Sequence, residues 1–166
     1  MIAIREDPDR VEPGHGCPAC GERNVDSLQW LPDELVKCLR CGARYCPGSP
    51  VKEVNYCAWD DELIQRLVPA RGPPYERYCS VGSLEVISNE LDQWLSPCPS
   101  EEDLLGSVDS WGVAWMECRA ALGFLAASGL VERQGQRYRP AAPNLAEAAV
   151  GAFTRLQERG SAGETR

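Results

Sequence analysis

Apolar residues fall at helical spacing through the second half of the chain and at short, irregular spacing through the first. Between Ser83 and Leu95, the residues Ile87, Leu91, Trp94 and Leu95 stand at i, i+4, i+7 and i+8. That is the stripe of an amphipathic helix, and Pro97 closes it. Ser100 then caps "EEDLLGSV", whose first turn holds Glu101, Glu102 and Asp103, where the helix dipole favours negative charge. A third helix is expected over about 112–128, with Ala114, Cys118, Ala121, Leu122 and Leu125 inward and Gly129 as its stop. "GLVERQGQRYRP" follows. It reads as a strand, a turn at Gly135, and a second strand in which Tyr138 alternates with Arg137 and Arg139. A last helix opens on a capping-box-like pair, Asn144 and Glu147, and carries Leu145, Ala149, Phe153 and Leu156 along one side.

The first half is punctuated by proline, glycine and cysteine, with strand-like runs such as "LVKCL" and "ARYC". Trp59 to Val68 reads as a short helix, Asp60 capping it and Leu63, Ile64 and Leu67 on one face, with Pro69 ending it. The acids Asp60, Asp61 and Glu62 then sit at a helix N-terminus. "PARGPPYERYCSVG" cannot propagate a helix and reads as a linker. The pattern predicts an α+β chain. Its parts are a flexible lead (1–16), a cysteine-bearing module (17–57), a short helix with a Pro-rich linker (58–79), a mainly helical domain (80–141), a C-terminal helix (142–160) and a disordered tail (161–166).

Charge and cysteine content narrow the chemistry. The net charge of −8 predicts repulsion from bare nucleic acid and from anionic lipid. No run of 18 apolar residues marks a membrane span, so no membrane partner is expected. "MIAIREDPDR" lacks the apolar stretch of a secretory signal. The expected location is therefore cytoplasmic, where structural disulfides are rare and nine cysteines point to metal ligation for some and burial for the rest.

Two stretches carry that ligation, "CPACG" at Cys17–Gly21 and "CLRCG" at Cys38–Gly42, with 17 residues between the pairs. Each C-x-x-C turn sets two sulfurs on one side of a knuckle, and the glycine after it lets the chain turn back. Two facing knuckles give Cys17, Cys20, Cys38 and Cys41 as a tetrahedral thiolate set for one structural Zn²⁺. Four thiolates leave no position for water, so the site is closed to Lewis-acid catalysis. A module this small also needs such a staple to fold. Iron is the competing metal; it would make the module a rubredoxin-like electron carrier.

The segment from Cys17 to about Val54 resembles a zinc ribbon. "ELVKCLRCGARYCPGSPV" is similar to the second knuckle of the small Trm112-like ribbons, with Pro47, Gly48, Ser49 and Pro50 where that family carries "DGIP". The resemblance implies a partner protein that solubilises or activates an enzyme.

The remaining candidates are weaker. Cys46 and Cys57 read as small buried hydrophobes, Cys118 as core, and Cys79 and Cys98 as scattered thiols. His15 is the only histidine and reads as solvated. No P-loop, dinucleotide fingerprint or nucleophile elbow is present, and no catalytic residues are assigned, so the protein is not expected to be an enzyme.

The run from Ser83 to Pro140 resembles a winged-helix domain. DNA-binding members place their third helix in the major groove and their wing on the backbone. Here residues 80–140 carry nine acids against Arg119, Arg133, Arg137 and Arg139. The third helix offers only Arg119 as a base and has no Asn, Gln or Lys to read base edges. Trp111, Trp115 and Met116 are not expected all to be buried in so small a domain, and an apolar, weakly charged exposed face suits a protein partner better than DNA. The expectation is a zinc-binding adaptor or regulatory subunit that contacts a protein partner through those three residues. The alternative is a transcriptional regulator with the four arginines on DNA phosphates.

Overall fold

A computed structural model describes residues 8–94 and 96–163. Four helices and three small antiparallel sheets make a mixed α and β architecture. By internal contacts the chain divides into two compact units, residues 1–54 with 66–76 and residues 55–65 with 77–166. The chain thus passes from one unit to the other three times.

In the first unit, strands β1 (Leu28–Trp30), β2 (Val36–Cys38) and β3 (Arg44–Tyr45) form a sheet in the order β1-β2-β3. Leu28 pairs with Cys38, and Val36 pairs with both Trp30 and Tyr45. The expected "LVKCL" and "ARYC" strands are β2 and β3. Their inward residues join Cys17, Ala19, Leu67 and Tyr75 in one small core. The lead differs from expectation. Arg10 bridges Asn24, the Val11 amide donates to the Arg23 carbonyl, and the Val25 amide donates to the Asp9 carbonyl, both at 2.9 Å. These backbone bonds fix the segment from Asp9 onward, and Pro13–His15 forms a 3-10 turn within it. Residues 1–7 of the expected lead lie outside the described residues.

The largest correction concerns residues 51–80, which hold no helix before Val81. Strands β4 (Val51–Trp59), β5 (Glu62–Pro69) and β6 (Tyr75–Ser80) form a sheet in the order β4-β5-β6. Asp60 and Asp61 occupy the two-residue turn after β4, Asp60 with a left-handed φ of 48°. Along β5 the buried positions are Leu63, Gln65, Leu67 and Pro69, and along β6 they are Tyr75, Arg77 and Cys79. The period is two, as in a strand with one covered face. A polar residue occupies the middle of each inward row, which is why the alternation is hard to read. The expected Pro-rich linker shrinks to residues 70–74.

The second unit contains α1 (Val81–Gln93), α2 (Glu101–Val108), α3 (Trp115–Ala127), the hairpin β7 (Val131–Gln134) and β8 (Arg137–Pro140), and α4 (Leu145–Gly163). Helix α1 starts earlier than Ser83 because the Ser80 hydroxyl caps it, accepting from the Ser83 amide at 3.0 Å. Leu84, Ile87, Ser88 and Leu91 form its buried face; Leu95, expected on that stripe, lies outside the described residues. The hairpin pairs Val131 with Pro140 and Gln134 with Arg137, which leaves Gly135 and Gln136 as its turn. Ser100 also bridges Arg137, and the Tyr138 amide donates to the Pro99 carbonyl at 2.9 Å.

Helix α4 packs along α1 through Leu145, Ala149 and Phe153. Its expected Asn144 cap is replaced. An N-cap residue needs extended backbone, and Asn144 has φ 49°. The Leu145 amide is satisfied by the Asp92 carboxylate of α1 at 2.7 Å. The helix also runs through residues 161–163 of the expected tail; residues 164–166 lie outside the described residues.

The α2 cap is a full box. The Ser100 hydroxyl accepts from the Asp103 amide at 3.1 Å, and the Asp103 carboxylate accepts from the Ser100 amide at 2.9 Å. Ser100→Ala therefore should lower the unfolding free energy by about 1 kcal/mol, checked by urea titration. No change in the midpoint would mean that the cap is idle.

Candidate metal centre and the covered third helix

The two knuckles are built alike. In the first, the Gly21 amide donates to the Cys17 carbonyl at 2.8 Å and the Cys17 amide to the Glu22 carbonyl at 2.8 Å. In the second, the Gly42 amide donates to the Cys38 carbonyl at 2.8 Å and the Cys38 amide to the Ala43 carbonyl at 2.9 Å. Gly21 and Gly42 both have φ of 80°. Nothing lies within 4 Å of a Cβ built on Gly42, so the left-handed backbone, and not crowding, calls for glycine there.

The four sulfurs converge, all within 4.8 Å of one another. Cys17 Sγ lies 3.6 Å from Cys41 Sγ, and Cys20 Sγ lies 3.7 Å from Cys38 Sγ. A tetrahedron with metal–sulfur bonds of about 2.3 Å has edges of about 3.8 Å. The pocket between the knuckles therefore fits one tetrahedrally bound metal ion, held by Cys17, Cys20, Cys38 and Cys41.

The electrostatics point the same way. Burial pushes the Cys17 thiol far above its ordinary value and pushes Cys20 up to about 11. Cys38 moves the other way. Burial raises it too, but the amides of Cys41 and Arg40 and the thiols of Cys20 and Cys41 donate to it and outweigh that cost. Four thiolates this close repel one another, and a bound dication supplies the missing countercharge. Glu22 links the knuckles from outside: it accepts from the Arg23 and Asn24 amides at 2.8 Å and meets Arg40 at 3.5 Å. The Asn24 amide is the main reason its carboxyl is held low.

Among the described residues, no histidine or further cysteine joins the cluster. His15 sits half-exposed with Nδ1 3.6 Å from Glu12, and its carbonyl accepts from the Tyr45 hydroxyl at 3.1 Å. Cys46 is half-buried, while Cys57 is exposed on β4, unlike the buried hydrophobe expected there. Cys79 and Cys118 are fully buried, and burial pushes both thiols up, Cys118 to about 12. An open cleft of about 390 Å³ also lies in the first unit, walled by Val11, Val25, Leu28 and Trp30 with Glu12 and His15 beside them.

In the second unit, helix α3 is covered on two sides. Cys118, Ala121, Leu122 and Leu125 form one buried face, while Ala114, expected there, is exposed at the N-cap. Ala120 and Phe124 lie roughly opposite that face and are buried as well. Strand residues provide the cover. Tyr56 of β4 meets Phe124 with ring centroids 5.8 Å apart, and Gly123 faces Tyr56 and Gln65. A buried polar chain runs beneath: Arg77 donates to Gln65 at 3.2 Å, and Gln65 donates to the Tyr56 hydroxyl at 2.9 Å. Among the described residues, no buried side-chain nitrogen or oxygen lacks a partner. Sequence reasoning missed Tyr56, Gln65 and Arg77, because polar residues at the inward positions of β5 and β6 hide the alternation.

The expected contact residues are separated by environment. Trp111 is 70% exposed. Trp115 and Met116 are half-buried, and Trp115 lies under Arg77 and Arg119, with centroid distances of 5.5 and 4.9 Å. All four expected phosphate-binding arginines have internal partners. Arg119 pairs with Glu101 at 2.9 Å, and Arg139 pairs with Glu132. Arg133 donates to the Gly135 carbonyl at 2.9 Å and lies over Tyr138, while Arg137 donates to the Cys98 carbonyl.

Comparison with protein-family models, with curated proteins and with solved structures gives no match to this chain. The class that site and fold define is a chain of mixed α and β structure with four cysteines positioned to hold one metal ion. Among the described residues, no helix is long and apolar enough to cross a membrane.

Proposed function

We propose that the protein is a non-enzymatic, zinc-binding adaptor that docks into a larger protein assembly, built from a zinc ribbon and a winged-helix-like domain. The observation that carries the reading is the four-sulfur cluster, which fills a tetrahedral shell and leaves no position for substrate. The hard-soft match of four thiolates favours zinc or iron over magnesium or calcium, and a closed site suits a structural ion better than a catalytic one. The winged-helix reading is supported by α1, α2, α3 and the β7–β8 hairpin in that order. Residues 99–100, between α1 and α2, touch β8 through an isolated Ser100–Arg137 bridge and the Tyr138 amide to Pro99 carbonyl bond.

Docking is supported by aromatic exposure. Trp30, Trp59 and Trp111 are 69%, 62% and 70% exposed, three of the five tryptophans in the chain. Single exposed apolar residues are ordinary, but tryptophan is the residue type most enriched at binding hot spots. Two observations weigh against DNA reading. Gly123 and Phe124 of α3 lie against strand residues, and the arginines already have acceptors within the chain.

Three measurements test the proposal. Metal analysis should find one zinc per chain in a colourless protein; a coloured iron form would favour an electron carrier. Titration with random duplex DNA at low salt should show no retention. Binding with a salt slope of roughly −3 to −4 would replace the adaptor with a DNA regulator. In extract of the native host, the tagged chain should run in a larger complex, and Trp111→Ser should shift it toward the monomer position. A wild-type chain that runs only as a free monomer would remove the adaptor.

A further inference from the structure

The four metal-binding cysteines are not equally shielded. Cys17 and Cys38 are 1% and 0% exposed, Cys20 is half-buried and Cys41 is exposed. In a loaded site all four are thiolates, the nucleophilic form of cysteine. Only the Cys41 corner therefore presents such a sulfur on an exposed residue, and Cys17 waits 3.6 Å behind it in the other knuckle. We propose that Cys41 is a modification site for hydrogen peroxide, and that its oxidation ejects the metal and ties the two knuckles together through a Cys17–Cys41 disulfide. This rests on the reading of the cluster as a loaded thiolate centre.

The steps balance. A lone pair on Cys41 Sγ attacks one peroxide oxygen, the O–O bond breaks, and hydroxide leaves, giving a sulfenic acid at Cys41. The Cys17 thiolate then attacks the Cys41 sulfur, the S–O bond breaks, and a second hydroxide leaves. Two protons from solvent convert both hydroxides to water. The two sulfurs together give up two electrons, and one peroxide accepts them. Reaching the roughly 2.05 Å of a disulfide needs an approach of about 1.5 Å, within the reach of two side chains already side by side. With two of its four ligands spent, the metal keeps only Cys20 and Cys38 and dissociates. Those two sulfurs are 3.7 Å apart, and a second peroxide closes them by the same route. The oxidised ribbon is thus cross-linked from knuckle to knuckle, where two C-x-x-C disulfides would leave the knuckles unconnected.

The test uses the full chain loaded with zinc, with Cys57→Ser removing the other exposed thiol. Zinc content is measured first; a chain that binds no zinc overturns the metal reading and this proposal with it. Hydrogen peroxide is then added in small excess, and free zinc is followed with a chromogenic chelator while disulfides are mapped by peptide mass spectrometry. The expected result is release of the bound zinc together with a Cys17–Cys41 cross-link. Zinc retained against oxidant, or a first disulfide between Cys38 and Cys41, overturns the proposal with the metal reading intact. Cys41→His keeps a zinc ligand but removes the thiolate, so release should slow by about tenfold or more. An unchanged release rate in that variant, loaded to the same zinc content, also overturns it.

Discussion

Stripping the metal with a strong chelator should unfold the first unit and leave the helical one folded. Among the described residues, the first unit's core cluster has seven buried members, and Cys17 and Cys38 are two of them. Strands β1 to β3, which carry the second knuckle, are two or three residues long, so their backbone ladder adds little. Structural zinc in modules of this kind contributes on the order of 10 kcal/mol at neutral pH, more than such a core supplies. Amide exchange reads the result directly: protection at Val36–Cys38 should vanish on chelation, while protection in α1 and α3 stays. Cys38→Ser should act in the same direction, since a buried thiolate ligand becomes a hydroxyl. Protection at β2 that survives complete chelation would mean that the ribbon holds itself together without metal.

The second large effect reverses an ordinary rule. Replacing a mid-helix glycine by alanine usually stabilises a helix by about 1 kcal/mol. At Gly123 the added Cβ would lie 2.5 Å from the Tyr56 hydroxyl oxygen and 2.6 Å from Gln65 Nε2. Neither group can retreat freely, because the two are hydrogen-bonded to each other and Gln65 to Arg77. Gly123→Ala should therefore destabilise the protein by about 1–3 kcal/mol, the usual range for an overpacked core. Urea unfolding of the second unit measures it. Adding Tyr56→Phe removes one of the two clashing atoms and should recover part of the loss. An alanine variant more stable than wild type would show that the sheet does not press on α3 at this point.

The parts legible in the sequence are those where one periodicity or spacing dominates. The paired C-x-x-C-G turns placed four sulfurs together, because the knuckle is a local structure set by three or four residues and a left-handed glycine. Helices α1 to α3 and the hairpin followed from apolar stripes, caps and the Gly135 turn. Strands β5 and β6 were not legible. Leu63, Ile64 and Leu67 satisfy a helical face, and the true alternation runs through Gln65 and Arg77, which a polarity pattern counts as surface. Both are buried because they bond each other and because Arg77 lies against Trp115, a long-range arrangement that no local window contains. The pairing of Asp9 to Val11 with residues 23–25 escaped for a similar reason: it is made by backbone groups, which carry no sequence signal.

Leu67 and Tyr75 belong to the same small core as Cys17 and Cys38, although they come more than twenty residues after the second knuckle. During synthesis both thiolate pairs emerge before the residues that roof them. A nascent chain halted after Cys41 and before Tyr75 would carry all four ligands under an unfinished interior. For the same reason, a fragment cut at the end of the cysteine-bearing segment should bind metal less tightly than the intact chain, even though it keeps every ligand.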